Sequence, residues 1–195
     1  MPSPDILERD RSGVPVSVYE PGYDAISRLI REAQLITAEL NTGYHEEEEV
    51  RSIFSRLIGT GVDETFGLLP PFHTDFGKNI RVGRRVFINF DCVFMDRGGI
   101  TLGDDVLIGP RVNLITINHL TDPNNRRTTV CKPIVIEDNV WIGAGVTVLP
   151  GITIGKNSII GAASVVTKNV PPNTIMVGSP AKAVRIIKLT QYYFS

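Results

Sequence analysis

His119 is the side chain of this sequence best suited to move a proton. It is one of three histidines among 195 residues, and it opens a polar, turn-rich segment, HLTDPNNRRTTVCK. A neutral imidazole at such a place can take a proton from a hydroxyl group and return it later in a reaction. A histidine that only caps a backbone carbonyl at the start of a loop would occupy the same place. Position alone leaves both interpretations open.

The sequence on both sides of this segment repeats every six residues. Aliphatic side chains open the repeats of the downstream series, which are Ile136, Ile142, Val148, Ile154, Ile160 and Val166. An upstream series has a slip at Gly98-Gly99 and contains Phe76, Val82, Ile88, Phe94, Leu102, Ile108 and Leu114. Three such hexads make one triangular coil, so the period predicts a parallel β-helix with these side chains stacked inside. Burial there stabilises by roughly 1.5 to 3 kcal/mol per side chain.

Turn-forming residues recur between the aliphatic positions. Glycine follows several of them, at Gly83, Gly103, Gly109, Gly143, Gly155 and Gly161. Asparagine and aspartate recur at Asn79, Asp104, Asp138, Asn139 and Asn157. Both groups favour turns and unusual backbone conformations, which predicts that the chain changes direction at these positions.

The first third of the chain has a helical period instead. Residues 24–41 carry apolar side chains on one helical face, and a second series runs from Val50 to Ile58. Acidic residues 46–49 open this second helix, where negative charge is favourable. The expected organisation is a helical subdomain at 1–69, a β-helix at 70–171 with a protruding loop at 119–133, and a tail at 172–195.

Composition excludes several classes of protein. The net charge is −1, which gives no electrostatic basis for a nucleic-acid or membrane partner. No segment is apolar enough for a signal sequence or a membrane span, so we expect a cytoplasmic protein. Cys92 falls on an inward hexad position, and neither it nor Cys131 has metal-site spacing. The histidines at 45, 73 and 119 cannot supply a three-histidine zinc site on neighbouring coils, so we expect no metal.

Several segments resemble the hexapeptide-repeat acyltransferases, in particular the maltose, galactoside and nodulation-factor O-acetyltransferases. They are INFDCVFMD (88–96), TLGDDVLIGPRV (101–112), ITINH (115–119), VIEDNVWIGAGVTVLPGITIGKNSIIGAASVVTKNVPPN (135–173) and VGSPAKAVR (177–185). The similarity covers about residues 70–187. It implies a left-handed β-helix, a homotrimer with sites between subunits, and transfer of an acetyl group from acetyl-CoA to a small hydroxylated acceptor.

The same resemblance assigns roles to individual residues. His119 matches the catalytic base, and Asn89 matches the residue that donates a hydrogen bond to the thioester oxyanion. A corner asparagine chosen for left-handed geometry is the alternative for Asn89. Asp75 and Asp96 match acceptor-binding positions, with solvated corner carboxylates as the alternative. Arg97 stands where the galactoside enzymes have a second acid, which argues against a galactoside acceptor.

The CoA contacts of the family fall on six residues, which are Ala144, Ala162, Thr167, Lys168, Lys182 and Arg185. The lysines and arginine suit CoA phosphates because they form charge-assisted hydrogen bonds. Ala144 replaces a serine found in some relatives, and Lys182 replaces an arginine. Trp141 is expected to line the same channel, or else to cap the core from the rim.

The acceptor itself is not determined by these motifs. The family's N-terminal acceptor-binding acid has Glu20 and Asp24 as possible counterparts. A sugar hydroxyl is the expected target, and a serine or an antibiotic hydroxyl would use the same base. A catalytically silent β-helix that serves as a binding or assembly module is the other alternative. The presence of His119, Asn89, Lys168 and Arg185 in one chain favours the enzyme.

Overall fold

The computed structural model describes residues 5–188 and begins with three helices. Helix α1 (Ile6–Arg11) leads through strand β1 (Val16–Ser17) to α2 (Tyr23–Leu40) and α3 (Glu47–Ile58). The two helices that the apolar period predicts are α2 and α3. The sequence does not predict α1, because six residues are too few to show a helical period.

The strands that follow form a three-sided prism. The first face contains β2 (Gly67–Leu68), β5 (Phe87–Ile88), β8 (Leu107–Ile108), β13 (Trp141–Ile142), β16 (Ile159–Ile160), β18 (Thr174–Val177) and β19 (Lys182–Ile186). The second face contains β3 (Phe72–Thr74), β6 (Cys92–Met95), β9 (Asn113–Ile115), β14 (Thr147–Val148) and β17 (Val165–Val166). The third contains β4 (Ile80–Val82), β7 (Ile100–Leu102), β12 (Ile134–Ile136) and β15 (Thr153–Ile154).

Successive coils stack in register, so equivalent aliphatic side chains lie above one another inside the prism. On the first face Ile88, Ile108 and Ile142 are aligned strand by strand and are 1% exposed or less. Every pairing within the faces is parallel except that of β19 with β18. The fold is a left-handed parallel β-helix with a helical N-terminus, the class that the sequence predicts.

Helix α3 closes the N-terminal end of this prism. The ring of Phe54 stacks on Phe66 with 4.8 Å between centroids and meets Phe72 edge-on at 5.5 Å. Phe72 in turn meets Phe94 of the next coil edge-on at 5.1 Å. The helical segment therefore shares one continuous apolar core with the β-helix.

Phe76 does not occupy the interior position that the six-residue period gives it. It packs in a second cluster with Ile6, Val16 and Ile26, outside the prism core. Thr74 takes the position aligned with Phe94 instead. The period fails here because a long turn, residues 75–79, separates β3 from β4 and changes the phase of the repeat.

The glycines after the aliphatic positions serve close packing rather than a left-handed backbone. A Cβ on Gly143 would lie 2.7 Å from the backbone nitrogen of Ala162, and one on Gly109 would lie 2.8 Å from that of Ala144. Neither glycine has a positive φ. The positive φ angles fall on later corner residues, such as Asn139 at 56° and Asn157 at 62°.

The segment expected to be a loop is a β-hairpin. Strand β10 (Ile117–His119) and strand β11 (Thr128–Cys131) pair antiparallel, with a short 3₁₀ helix (Pro123–Asn125) between them. Strand β1 pairs with the other side of β11, so the order is β1-β11-β10. The hairpin leaves the prism after β9 and returns at β12.

Two edges of the prism contain most of the residues predicted to form the site. The first edge joins the first and second faces and contains the turns at 89–91, 109–112, 143–146 and 161–164. The second edge joins the second and third faces and contains the turns at 75–79, 96–99 and 167–169, together with the hairpin. The parallel strands of the prism run from Gly67 to Val177, and the antiparallel β19 follows them at Lys182–Ile186, whereas the sequence placed the β-helix at 70–171. Residues 189–195 of the expected tail lie outside the described part.

Among the described helices, none has the length and apolar character needed to cross a membrane.

Candidate active site

The hydrogen bonding of His119 sets its tautomer. Its Nδ1 lies 2.7 Å from the carbonyl oxygen of Arg126, and a carbonyl oxygen can only accept. Nδ1 therefore carries the proton and donates it, which leaves the lone pair of Nε2 available on an exposed ring. From the sequence, a contact with a backbone carbonyl was the alternative to a catalytic role for His119. The structure shows this contact, and it orients the imidazole in the way that a general base requires.

Asp75 presents an unsatisfied carboxylate at the second edge. Its Oδ2 is buried and has no hydrogen-bond partner within residues 5–188. Burial, followed by the negative charge of Asp96, raises the pKa of Asp75 to about 7, although the nearby Arg97 opposes the shift. A buried polar atom without a partner is rare and requires an explanation, and a binding or catalytic role is one such explanation.

Asp96 has a structural role. It is 0% exposed, and its Oδ1 accepts hydrogen bonds from the Thr74 hydroxyl at 2.8 Å and from the backbone of Phe76 at 2.8 Å and of Gly77 at 3.0 Å. Its Oδ2 accepts from the Asn79 backbone at 3.0 Å. The acceptor-binding role expected for Asp96 does not fit this geometry, because both oxygens are used to hold the turn that carries Asp75.

Arg97 is also turned inward. Its guanidinium forms a bidentate pair with Asp10 of α1, with Nε 2.8 Å from Oδ2 and Nη2 2.6 Å from Oδ1. Burial alone would lower the pKa of Arg97, but the hydrogen bonds and charge of Asp10 outweigh it and raise the pKa. The arginine that replaces the second acid of the galactoside enzymes is thus neutralised within the chain.

Asn89 stands on the first edge with its amide group poised to donate. Its Oδ1 accepts a hydrogen bond from the backbone nitrogen of Phe90 at 2.9 Å. This contact occupies Oδ1, and the Nδ2 protons make no hydrogen bond within the described residues. Two free N–H groups on a fixed amide can stabilise a developing oxyanion. Asn89 has no positive φ, so left-handed geometry does not explain it.

A row of side chains on the first face leads from an aromatic ring to a cation. Trp141 is aligned with Ile159, Ile159 with Ile175, and Ile175 with Arg185. The row spans three strand spacings, about 14 Å. Trp141 is 53% exposed, and Arg185 lines a cleft of about 420 Å³ with Ile159, Ile175, Ile187 and Lys188. An apolar groove that ends in cations suits a pantetheine arm and its phosphates.

The predicted site residues divide between the two edges. Ala144 and Ala162 are exposed on the first edge, in the same column of turns as Asn89, and Trp141, Lys182 and Arg185 lie on the adjoining first face. His119, Asp75, Thr167 and Lys168 all follow strands of the second face and lie at the second edge. Within one copy of the chain, the predicted constellation is therefore divided between two edges of the prism.

Of the two N-terminal acids, Glu20 is the better placed. Its side chain is 23% exposed, its Oε2 accepts from Arg9 at 3.3 Å, and its buried Oε1 has no partner within residues 5–188. Asp24 is 69% exposed and pairs with Arg28 of the same helix. In the part of the chain that the structure describes, no group of three or more His, Cys, Asp or Glu side chains could hold a metal ion.

Known proteins share both the sequence and this geometry. Residues 133–168 match the family model described as bacterial transferase hexapeptide (six repeats). The galactoside O-acetyltransferase of Escherichia coli is 38% identical over 160 residues, 80% of this chain and 79% of that protein. The chain belongs to the hexapeptide-repeat acetyltransferases.

Solved structures extend the comparison to almost the whole chain. A maltose O-acetyltransferase from Clostridium difficile superposes with a TM-score of 0.87 at 35% identity, covering 94% of this chain and 97% of that one. A hexapeptide-repeat acetyltransferase from Vibrio cholerae, solved with acetyl coenzyme A, gives 0.79 at 38% identity, with 93% and 98% covered.

Some polar residues near the predicted site of this hexapeptide-repeat acetyltransferase are not recognisable from the sequence. Asp10, Thr129 and Arg97 form one buried cluster beneath the hairpin. Asp10 and Arg97 are 87 residues apart, and Asp10 precedes the repeats. The one signal in the sequence is Arg97 itself, a positive charge at the second edge where the galactoside enzymes have an acid.

Proposed function

We propose that this acetyltransferase moves an acetyl group from acetyl-CoA to a hydroxyl group of a sugar or a similar small acceptor. The observation that carries the proposal is the tautomer of His119, whose Nδ1 donates to the Arg126 carbonyl and whose Nε2 is accessible. The thioester supplies the electrophilic carbon, and the chain's side chains must supply the proton transfer and the stabilisation of charge.

His119 would act twice in the reaction. As a neutral imidazole it would accept the proton of the acceptor hydroxyl at Nε2 as the oxygen attacks the acetyl carbon. The imidazolium, held by the Arg126 carbonyl through Nδ1, would then protonate the departing thiolate sulfur. Proton gain and loss thus balance at one nitrogen. Asn89 Nδ2 would donate to the carbonyl oxygen while it carries negative charge, a contact typically worth a few kcal/mol.

The residues present fit a CoA molecule. Trp141 and the isoleucine row offer an apolar wall for the pantetheine arm, and the exposed corners at Ala144 and Ala162 leave room beside it. Arg185 and Lys182 on the first face, with Thr167 and Lys168 on the second edge, would bind the phosphates.

The division of these residues between two edges supports a site shared by neighbouring subunits. A homotrimer would place the first edge of one subunit against the second edge of the next, and cyclic symmetry would repeat this contact three times. Asn89 and Arg185 would then come from one subunit, and His119 and Lys168 from its neighbour.

Asp75 and Glu20 are the proposed acceptor-binding carboxyl groups. Both side chains are partly exposed and are incompletely hydrogen-bonded within residues 5–188, so each would offer an acceptor oxygen to a sugar hydroxyl. At position 97, where the galactoside enzymes have an acid, this chain has an arginine that is paired with Asp10. The chain therefore lacks this carboxylate for binding a galactoside. We therefore place the acceptor among hydroxylated small molecules other than simple galactosides.

A thiol-release assay tests the function. Acetyl-CoA is supplied with sugars, glycosides, serine and hydroxylated antibiotics, and we expect thiol release with at least one carbohydrate. His119→Ala should lower kcat by about two orders of magnitude with little change in acetyl-CoA affinity. His73→Ala is the matched control, because His73 is also an exposed strand histidine. Wild-type turnover in His119→Ala would exclude it as the base, and absence of acceptor-dependent release from the wild type would favour a silent scaffold.

A further inference from the structure

A buried ion pair joins the N-terminal helix to the prism beneath the hairpin. The side chains of Arg97 and Asp10 are 6% and 1% exposed, and two short hydrogen bonds connect them. Such a pair contributes little net stability, because burial removes water from both charges. Its fork geometry, however, fixes the position and direction of the guanidinium. The pair is therefore better explained by the geometry it imposes than by its contribution to stability.

A third hydrogen bond of this guanidinium is with the hairpin. Arg97 Nη2 donates to Thr129 Oγ1 at 3.2 Å, and the same hydroxyl donates to the Val16 carbonyl at 3.3 Å. Cys131, two residues further along β11, lies with its Sγ 3.5 Å from Asp10 Oδ1. Burial and then the charge of Asp10 raise the pKa of the Cys131 thiol to about 12, so it stays protonated and donates. Strand β11 is thus attached to the ion pair at two positions.

Thr129 is the cross-strand partner of His119. The antiparallel register pairs His119 with Thr129, and Thr129 is paired on its other side with Val16 of β1. Directly opposed residues in such a pair have Cα atoms about 4.5 to 5.5 Å apart. A shift of β11 would therefore move β10 and the imidazole, and it would also move the Arg126 carbonyl that sets the tautomer.

We propose that Arg97 is a positioning residue for His119: held by Asp10, it fixes Thr129 and with it the strand pair that carries the imidazole. The proposal rests on the function of His119 as the base. It extends the active-site framework to α1, which lies outside the β-helix. Arg97 would contact neither substrate and would act on His119 through Thr129.

Thr129→Val is the mildest test, since it keeps the shape and the ion pair but removes the hydroxyl that links them to the hairpin. We expect kcat to fall roughly tenfold, with the KM for acetyl-CoA unchanged, because small misplacements of a catalytic group are costly. Thr129→Ser restores the hydroxyl and should restore kcat. Wild-type kcat in Thr129→Val would overturn the proposal.

Asp10→Asn tests the other end of the network. Its matched control is Asp105→Asn, because Asp105 forms a bidentate pair with Arg85 at 2.6 and 2.7 Å, but on an exposed corner of the prism. Asp10→Asn should lower kcat, and Asp105→Asn should leave it unchanged. Should Asp10→Asn fold poorly, the double variant Arg97→Met/Asp10→Leu removes both buried charges and is expected to keep stability. A double variant with wild-type stability but a lowered kcat would support the positioning role. A double variant with both wild-type stability and wild-type kcat would show that the ion pair is only structural.

A spectroscopic signal separates this proposal from the catalytic one. The Nδ1 proton of His119, hydrogen-bonded to the Arg126 carbonyl, should give a downfield proton resonance that His119→Ala identifies. We expect Thr129→Val to broaden or shift it and Asp105→Asn to leave it in place. An unchanged resonance in Thr129→Val would count against positioning even if no acceptor were found. Absence of thiol release from the wild type would count against the proposed function alone.

Discussion

Asn89 and His119 stand on different edges of the same prism. Asn89 follows β5 on the first edge, whereas His119 ends β10, which leaves the prism after β9 on the second edge. The strands of the second face separate the two edges. Residues that would act on one carbonyl group must lie within a few ångströms of each other, so we expect a site that uses both residues to combine two copies of the chain.

Complementation between inactive variants tests this arrangement. His119→Ala and Asn89→Ala should each be nearly inactive alone. When equal amounts of the two chains are unfolded together and refolded at random, about one quarter of all interfaces would combine an intact His119 with an intact Asn89. Thiol release should therefore recover to about that share of the wild-type rate. No recovery in trimers verified as mixed would mean that one subunit supplies both residues.

Arg185→Ala should weaken CoA binding through the loss of a phosphate contact. Arg185 ends the row that begins at Trp141, so we expect a loss of roughly tenfold or more in affinity for CoA and a smaller loss for dephospho-CoA. Titration calorimetry with both ligands measures the difference. Arg81→Ala, which removes an exposed strand arginine from the third face, should affect neither ligand. Equal losses of affinity for both ligands would show that Arg185 does not bind the 3′-phosphate.

The stability of the protein should depend on pH through Asp75. Its pKa is about 7 in the folded state because of burial and the charge of Asp96, against an ordinary value of 3.8. Between these values the folded protein holds a proton that the unfolded chain has lost, so the stability from this group decreases as pH rises from about 4 to about 7. Asp75→Asn should therefore be more stable than the wild type at pH 8, by on the order of 2 kcal/mol, and not at pH 4.

Urea unfolding at both pH values measures this difference. Asp91→Asn is the control, because the Asp91 side chain is 42% exposed and lies on the first edge. A pH-independent difference in Asp75→Asn would show that Asp75 is already ionised at neutral pH in the folded protein.

The sequence predicted the prism because inward positions recur at a fixed period, and each coil repeats the packing of the one before. The prediction was wrong at Phe76, where the turn at 75–79 is long enough to change the phase. Asp96 shows a second reason why the sequence did not predict the whole site. Its residue type suits acceptor binding, but only the structure shows that four hydrogen bonds already use its oxygens. The contact between Asp10 and Arg97 has no periodic signal at all.

Gly143→Ala tests whether close packing between coils is what requires glycine. An added Cβ would lie 2.7 Å from the Ala162 backbone nitrogen and 2.9 Å from the Ile160 carbonyl oxygen, and backbone in a stacked coil cannot move aside cheaply. We expect a loss of about 1 to 3 kcal/mol in the free energy of unfolding. Gly61→Ala is the control, because a Cβ there meets nothing within 4 Å and its φ is not positive. Since Gly143 precedes Ala144 on the first edge, the substitution should also weaken CoA binding, and a stable variant with normal affinity would contradict the tight stacking of this edge.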